Sequence, residues 1–112
     1  MKKEGGAYNK GDIILVTFPF TDLSGEKRRP ALVVGISEEH AVVVFITTHA
    51  TGPRRWLVPM EATANTGMRS QSYVRCDKIA SVDIKITDGS IGVADHATMR
   101  MVNAKLRRLL GL

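Results

Sequence analysis

The strongest constraint on the fold is that apolar residues before residue 95 occur in short, β-branched runs separated by turn-forming residues. Each run is too short for a helix, and β-branched and aromatic side chains favour strands. The runs predict strands over residues 13–18, 31–36, 41–48, 56–59 and 72–84, the last with a bend, and a short strand after Asp88-Gly89. The polar segment 20–29 is predicted to be a loop.

The C-terminal segment has a different period. Asp95 is a good N-cap residue, and apolar residues follow at 99, 102, 106 and 109 or 110, which places them on one face of a helix. Gly111 is suited to end this helix. No helical pattern precedes residue 95, so the sequence predicts a mainly β fold, a small curled antiparallel sheet with a C-terminal helix.

Length and composition indicate one domain. With 112 residues, we expect a single domain over 11–112 and a flexible lead over 1–10. The single cysteine, Cys76, excludes an internal disulfide. Neither a signal peptide nor a membrane-length apolar run is found, so we expect a cytoplasmic protein that binds no membrane. There is no GxGxxG or P-loop fingerprint and no metal-ligand spacing, so we expect no cofactor and no metal.

The charge is basic and uneven. The chain carries 16 Lys and Arg against 11 Asp and Glu, a net charge of +5, and the surplus lies near both ends. Such a charge is typical of a protein that binds nucleic acid, and it is equally typical of a solvated basic surface.

Two basic segments carry candidate phosphate contacts. Lys27, Arg28 and Arg29 precede a strand, and Arg54 and Arg55 follow a Gly-Pro turn. The guanidinium group suits phosphate, although basic loops also simply keep a protein soluble. The adjacent residue, Trp56, offers a stacking surface for a base, or else belongs to the core.

A second group of candidates lies on the predicted strands. In a strand, Arg75 and Asp77 project to the same side while Cys76 points the other way. From this spacing alone, a surface ion pair is the simpler interpretation and an acid–base pair the alternative. The hydroxyls of Thr47 and Thr48 can bind phosphate or form an ordinary turn, and the adjacent His49 can reach the same place.

Taken together, these motifs resemble a known family. Residues 11–34, GDIILVTFPFTDLSGEKRRPALVV, resemble the opening of the MazF/PemK (Kid) toxins of bacterial toxin–antitoxin pairs. Further matches are the Thr-Thr pair after an apolar strand, Val-Arg-Cys-Asp at 74–77, and a C-terminal helix ending Leu-Leu-Gly-Leu. The resemblance covers the chain from Gly11 onwards.

The resemblance implies an SH3-like barrel of the CcdB/PemK/MazF type and a homodimer. It also implies an mRNA interferase, that is, a metal-independent, sequence-specific endoribonuclease that cuts single-stranded mRNA to 2′,3′-cyclic phosphate and 5′-hydroxyl ends. The partners implied are a cognate antitoxin protein and, only through the complex with that antitoxin, operator DNA.

Carried over by position, the resemblance makes Arg29, Thr47, Arg75 and Asp77 catalytic. Asp77 would accept the proton, Arg75 would donate and stabilise charge, and Arg29 and Thr47 would hold the phosphate. The expected RNA-binding residues are Lys27, Arg28, Thr48, His49, Arg54, Arg55, Trp56 and Tyr73.

Three alternatives stay open at this point. The proton transfer is assigned in one branch of the family to an Arg and a Thr, here Arg29 and Thr47, rather than to Arg75 and Asp77. The same barrel also occurs in gyrase-directed toxins related to CcdB, and a catalytically silent RNA-binding module would share the charge. The segment 24–28 departs from other family members, so the cleavage sequence does not transfer.

Overall fold

The computed structural model describes residues 8–19, 26–50 and 52–112. Its strands and helix are β1 (Asp12–Pro19), β2 (Glu26–Ile36), β3 (His40–Thr47), β4 (Leu57–Met60), β5 (Ser72–Asp83), β6 (Thr87–Val93) and α1 (His96–Leu110). Short 3₁₀ helices, Arg54–Trp56 and Ile84–Ile86, precede β4 and β6. The strands form one antiparallel sheet in the order β4-β5-β3-β2-β1-β6. The predicted fold class, mainly β with a C-terminal helix, is confirmed. None of the helices in these ranges is long and apolar enough to cross a membrane.

Two strand boundaries differ from the prediction. Residues 26–29 belong to β2 rather than to a loop, because they pair with β1 from Pro19 opposite Glu26 to Val16 opposite Arg29. The rest of that predicted loop, residues 20–25, lies outside the described residues. Asp88-Gly89 lies inside β6 rather than before it, at a register shift where Gly89 adopts a φ of 95°.

The sheet buries apolar side chains on both of its faces. The first face carries the Tyr8 cluster, which comprises Tyr8, Ile14, Val16, Ala31, Val33, Ala41, Val43, Val82 and Ile84. The second face carries the helix cluster, which comprises Ile13, Leu32, Val44, Ile46, Val58, Met60, Val74, Cys76, Ala94 and Val102. The central strands therefore have no solvent-facing side over most of their length.

A bulge in β5 decides which face its residues occupy. Val44 of β3 pairs with Ile79, but the next residue, Phe45, pairs with Arg75, so residues 76–78 are extra on the β5 side. An odd number of extra residues reverses the alternation of side chains. Before the bulge Val74 packs in the helix cluster, and after it Val82 packs in the Tyr8 cluster.

Helix α1 begins and ends with the predicted capping residues, and its predicted apolar face is the one that packs. The Asp95 Oδ1 accepts a hydrogen bond from the Thr98 N–H at 2.8 Å, and Gly111 ends the helix in the left-handed conformation with φ 72°. Val102 is fully buried in the helix cluster, and Met99 and Leu106 pack against it.

At the N-terminal end of the described residues, Tyr8 packs in the core, before the expected start of the domain at Gly11. Residues 1–7 of the expected lead lie outside the described residues, but Tyr8 is only 1% exposed. Its hydroxyl accepts from the Gly89 N–H at 3.1 Å and lies 2.8 Å from Thr87 Oγ1. Because the Thr87 hydroxyl donates to the Ile84 carbonyl, the Tyr8 hydroxyl donates to Thr87. The expectation of a flexible lead through residue 10 is therefore wrong for Tyr8.

We predict that Tyr8→Phe destabilises the protein by about 1–3 kcal/mol, because it leaves the buried Gly89 N–H without an acceptor. Urea unfolding monitored by circular dichroism measures this loss. Tyr73→Phe is the matched control, since Tyr73 is half-buried and its hydroxyl makes none of the hydrogen bonds of the described structure. Equal stability of the two variants would contradict the assigned role of Tyr8.

Candidate active site

The strand register brings three of the four predicted catalytic residues to one face of the sheet, and an ion pair adds the fourth. Phe45 pairs with Arg75 and Thr47 pairs with Tyr73 across β3 and β5, and paired residues share a face. On β2, Arg29 pairs with Val16 of the Tyr8 cluster, which places its exposed side chain on that same face. Asp77 joins the group through its bond to Arg75. The candidate site is thus the polar continuation of the face that carries the Tyr8 cluster.

Arg75 and Asp77 form a two-bond ion pair. The Arg75 Nε donates to Asp77 Oδ1 at 3.1 Å, and Nη2 donates to Oδ2 at 2.8 Å. The side chains are 16% and 21% exposed. The pair is therefore partly buried and held by two hydrogen bonds, unlike the fully exposed ion pair that the local spacing favoured.

The pair also shifts the titration of both groups. The hydrogen bond from Arg75 lowers the pKa of Asp77, and this exceeds the opposing effect of burial. The bond to Asp77 likewise raises the pKa of Arg75. At neutral pH the site therefore presents an ionised carboxylate beside a permanent cation. The two bonds to Asp77 use two of the five guanidinium N–H donors.

The residues after β3 form a tight turn beside this pair. The Thr47 Oγ1 accepts from the His49 N–H at 3.1 Å, which is the turn-forming role of a threonine hydroxyl. That bond uses the oxygen as an acceptor and leaves the O–H as a donor. Thr48 and His49 are exposed. The turn and phosphate interpretations of Thr47 are therefore compatible.

One residue at the site was not singled out from the sequence. Gly52, with φ +94°, lies so close to Arg75 that a Cβ built on it would be 2.6 Å from Nη2 and 2.7 Å from Cζ. In the sequence, Gly52-Pro53 gave only a turn signal, because the contact depends on a residue 23 positions away.

The basic residues before Pro30 divide between the two faces of β2. Arg28 pairs with Thr17, whereas Arg29 pairs with Val16. The Arg28 Nε lies 2.9 Å from Asp88 Oδ2, which also accepts from the Thr17 hydroxyl at 2.9 Å. Arg28 therefore points away from the candidate site, contrary to its expected grouping with Arg29. The side chain of Lys27 lies outside the described part of the chain.

The second basic segment is anchored to the helix. Arg54, Arg55 and Trp56 form the 3₁₀ helix before β4, and the guanidinium carbon of Arg55 is 5.3 Å from the centre of the Trp56 ring. The Lys105 Nζ of α1 donates to the Arg55 carbonyl at 2.7 Å. Both arginines are exposed and Trp56 is half-buried, so Trp56 is not a fully buried core residue.

Cys76 takes no part in the exposed site. It is fully buried in the helix cluster, as the alternation predicted, and burial raises the pKa of its thiol to about 11. A thiol with such a pKa is protonated at neutral pH and a poor nucleophile. In residues 8–19, 26–50 and 52–112, no three or more His, Cys, Asp or Glu side chains are grouped so that they could hold a metal ion.

We predict that Asp77→Asn costs about 1–2 kcal/mol of stability at pH 7, between the values of exposed and buried ion pairs. Because the pKa of Asp77 is lowered by folding, its contribution is present above the unfolded pKa of about 3.9 and is lost as the pH falls through the lower folded value. The difference between wild type and variant should therefore shrink in acid. Urea unfolding at pH 7 and below pH 3 measures it, and a difference independent of pH would contradict the lowered pKa.

The sequence matches one family model over residues 9–110, that of the PemK-like, MazF-like toxins of type II toxin–antitoxin systems. No curated protein sequence matches the chain at a significant level.

Several solved structures have the same fold. An endoribonuclease in complex with its cognate antitoxin, from a mycobacterial species, is 23% identical with a TM-score of 0.73, over 94% of this chain and 96% of that one. The Mycobacterium tuberculosis toxin MazF-mt6 is 20% identical with a TM-score of 0.72, over 90% and 97%. A MazE–MazF complex from Deinococcus radiodurans is 22% identical with a TM-score of 0.74, over 94% and 96%. At these identities the likeness shows the shared fold.

Proposed function

Since the chain belongs to the family of PemK-like, MazF-like toxins of type II toxin–antitoxin systems, we propose that it is a metal-independent endoribonuclease that cuts single-stranded mRNA at specific sequences and so inhibits translation. Toxins of this family are generally endoribonucleases. The observation that carries the proposal for this chain is the partly buried, two-bond Arg75–Asp77 pair on a face that also presents Arg29 and Thr47.

The reaction needs a proton acceptor, a group that stabilises the charged phosphorane, and a way to protonate the leaving oxygen. Asp77 takes the proton of the 2′-hydroxyl while the 2′-oxygen forms a bond to phosphorus. The bond from phosphorus to the 5′-oxygen breaks, and that oxygen leaves with its charge stabilised by Arg75 and takes its proton from water. The products are a 2′,3′-cyclic phosphate and a 5′-hydroxyl.

Arg29 and Thr47 serve as phosphate ligands in this proposal. Arginine keeps its proton and a threonine hydroxyl is a weak base, so neither suits the acceptor role at neutral pH. Asp77 is ionised there, because its pKa is lowered. The chemistry of the side chains therefore favours Asp77 over the Arg29–Thr47 alternative as the proton acceptor.

The proposed partners follow from the family. We infer a homodimer that is neutralised by a cognate antitoxin protein and that meets operator DNA only through that complex. Among the related folds, the mycobacterial endoribonuclease and the Deinococcus radiodurans MazF were each solved with an antitoxin.

We predict that the purified protein cuts a long single-stranded RNA at discrete positions in excess EDTA and that Asp77→Asn abolishes or severely reduces cutting, since the acceptor carboxylate is gone. Primer extension maps the cut ends. The matched control is Asp83→Asn on the same strand, because the Asp83 side chain accepts from the Lys85 N–H and from no other group in the described part of the chain, and an asparagine also accepts that bond.

Full cutting by folded Asp77→Asn protein would contradict the acid–base assignment. No cutting by well-folded wild type would contradict the ribonuclease proposal. In that case, RNA binding with a strong salt dependence would indicate a silent binding module, and inhibition of gyrase would indicate a CcdB-like toxin.

We also predict that Arg29→Ala reduces cutting at least tenfold, whereas Arg28→Ala reduces it less than threefold. The two arginines are neighbours with equal charge, but Arg29 lies on the face of the Arg75–Asp77 pair while Arg28 is bonded to Asp88. Initial rates at subsaturating RNA measure both effects. Equal losses of cutting rate in the two variants would show that the rate depends on charge alone and not on the face of β2 that carries it.

A further inference from the structure

The order of the strands forces the chain to cross over β5 at the candidate site. β3 and β4 both pair with β5, on opposite sides of it, and both run antiparallel to it. β3 ends at Thr47 opposite Tyr73, and β4 begins at Leu57 opposite Arg75. The connection, described at residues 48–50 and 52–56, therefore passes across one face of β5 near Arg75.

Gly52 is the residue of this crossover that meets Arg75. A Cβ at this position would be 2.6 Å from Nη2, 2.7 Å from Cζ and 3.2 Å from Nε. These three atoms belong to one planar group, so the Gly52 backbone lies against the guanidinium itself rather than against the alkyl part of the side chain. The φ of +94° also lies in the region that only glycine adopts at little cost.

Asp77 and Gly52 restrain the guanidinium in different ways. Asp77 binds the side of the group that carries Nε and Nη2, through two hydrogen bonds. Gly52 approaches Nη2, Cζ and Nε so closely that a Cβ at this position would require the guanidinium to move. An ion pair alone still permits the pair to move as a unit, whereas a backbone in contact with it prevents that movement.

We propose that Gly52 is a positioning residue for the reaction: by lying against Arg75, it fixes the guanidinium donors that face the phosphate. This inference rests on the proposed ribonuclease function, because it assigns Gly52 a role through Arg75. Any side chain at position 52 must displace the guanidinium, since a Cβ and Nη2 cannot stay 2.6 Å apart. The displaced group then loses its bonds to Asp77 or its alignment with the phosphate.

The test compares Gly52→Ala with Gly111→Ala. Gly111 has a similarly positive φ of 72°, but a Cβ there meets no atom within 4 Å, so this control carries the backbone strain without the collision. We expect Gly52→Ala to lower kcat on the order of tenfold to a hundredfold while KM for RNA changes less than threefold. Gly111→Ala should leave both constants near those of the wild type.

A second readout is independent of activity. The ¹³C shift of the Asp77 carboxyl, followed against pH, gives its pKa, which Gly52→Ala should raise toward the ordinary value of about 3.9. An unchanged Asp77 pKa in a folded Gly52→Ala variant would overturn the positioning role. If the wild type cuts no RNA but the pKa shifts as expected, the contact is established and the proposed function fails instead.

The reciprocal experiment does not depend on Gly52→Ala folding. Removing the guanidinium in Arg75→Ala should increase amide hydrogen exchange at His49, whose N–H is bonded to Thr47 Oγ1, at least tenfold relative to wild type, because the crossover loses the group it lies against. Exchange in α1 serves as the internal reference. Unchanged exchange at His49 would overturn the inference even where Gly52→Ala is insoluble.

Discussion

The bulge at residues 76–78 determines how β5 serves both faces of the sheet. A strand with strict alternation would send Val74 and Val82 to the same face, since both positions are even. Three extra residues reverse the alternation, so that Val74 packs under the helix and Val82 packs beside Tyr8. The same irregularity contains Asp77, and there the carboxylate bonds to Arg75 instead of entering a core. The packing of two cores and the placement of the ion pair therefore have one structural cause.

The crossover from β3 to β4 adds a second restraint on Arg75, beside its ion pair with Asp77. An arginine on a half-buried sheet surface has several rotamers of similar energy, and fixing such a long side chain costs conformational entropy. In this protein that entropy is lost during folding, because the strand order places the crossover, with Gly52, against Arg75. Donors that are fixed before RNA binds need no reorganisation when charge develops on the phosphate, which is the condition under which electrostatic stabilisation is most effective.

The sequence predicted the strands and the helix that have local sequence signals. It failed where the structure of a residue depends on contacts with residues far along the chain. The β-branched runs and the Asp95 and Gly111 helix ends are local signals, and they were sufficient for the fold class. Residues 26–29 are charged and looked like a loop, but pairing with β1 makes them a strand. Tyr8 and Gly52 stand among polar or turn-forming neighbours, and their roles arise from contacts with residues far along the chain. The same applies to Arg28 and Arg29, which no local pattern assigns to different faces.

The ion pair presents an apparent conflict, because Arg75 lowers the pKa of Asp77 and thereby weakens the base that the proposed reaction needs. The conflict resolves if the charge of Arg75 matters more in the transition state than in the resting site. In the proposed reaction, Asp77 loses its negative charge when it takes up a proton, and its ion pair with the guanidinium weakens. The phosphorane gains negative charge at the same moment, and the Arg75 donors are already fixed beside it. The Arg75 charge stays on the guanidinium, but in the proposed reaction it stabilises the phosphate instead of Asp77 as the proton moves, so proton transfer and charge stabilisation assist each other.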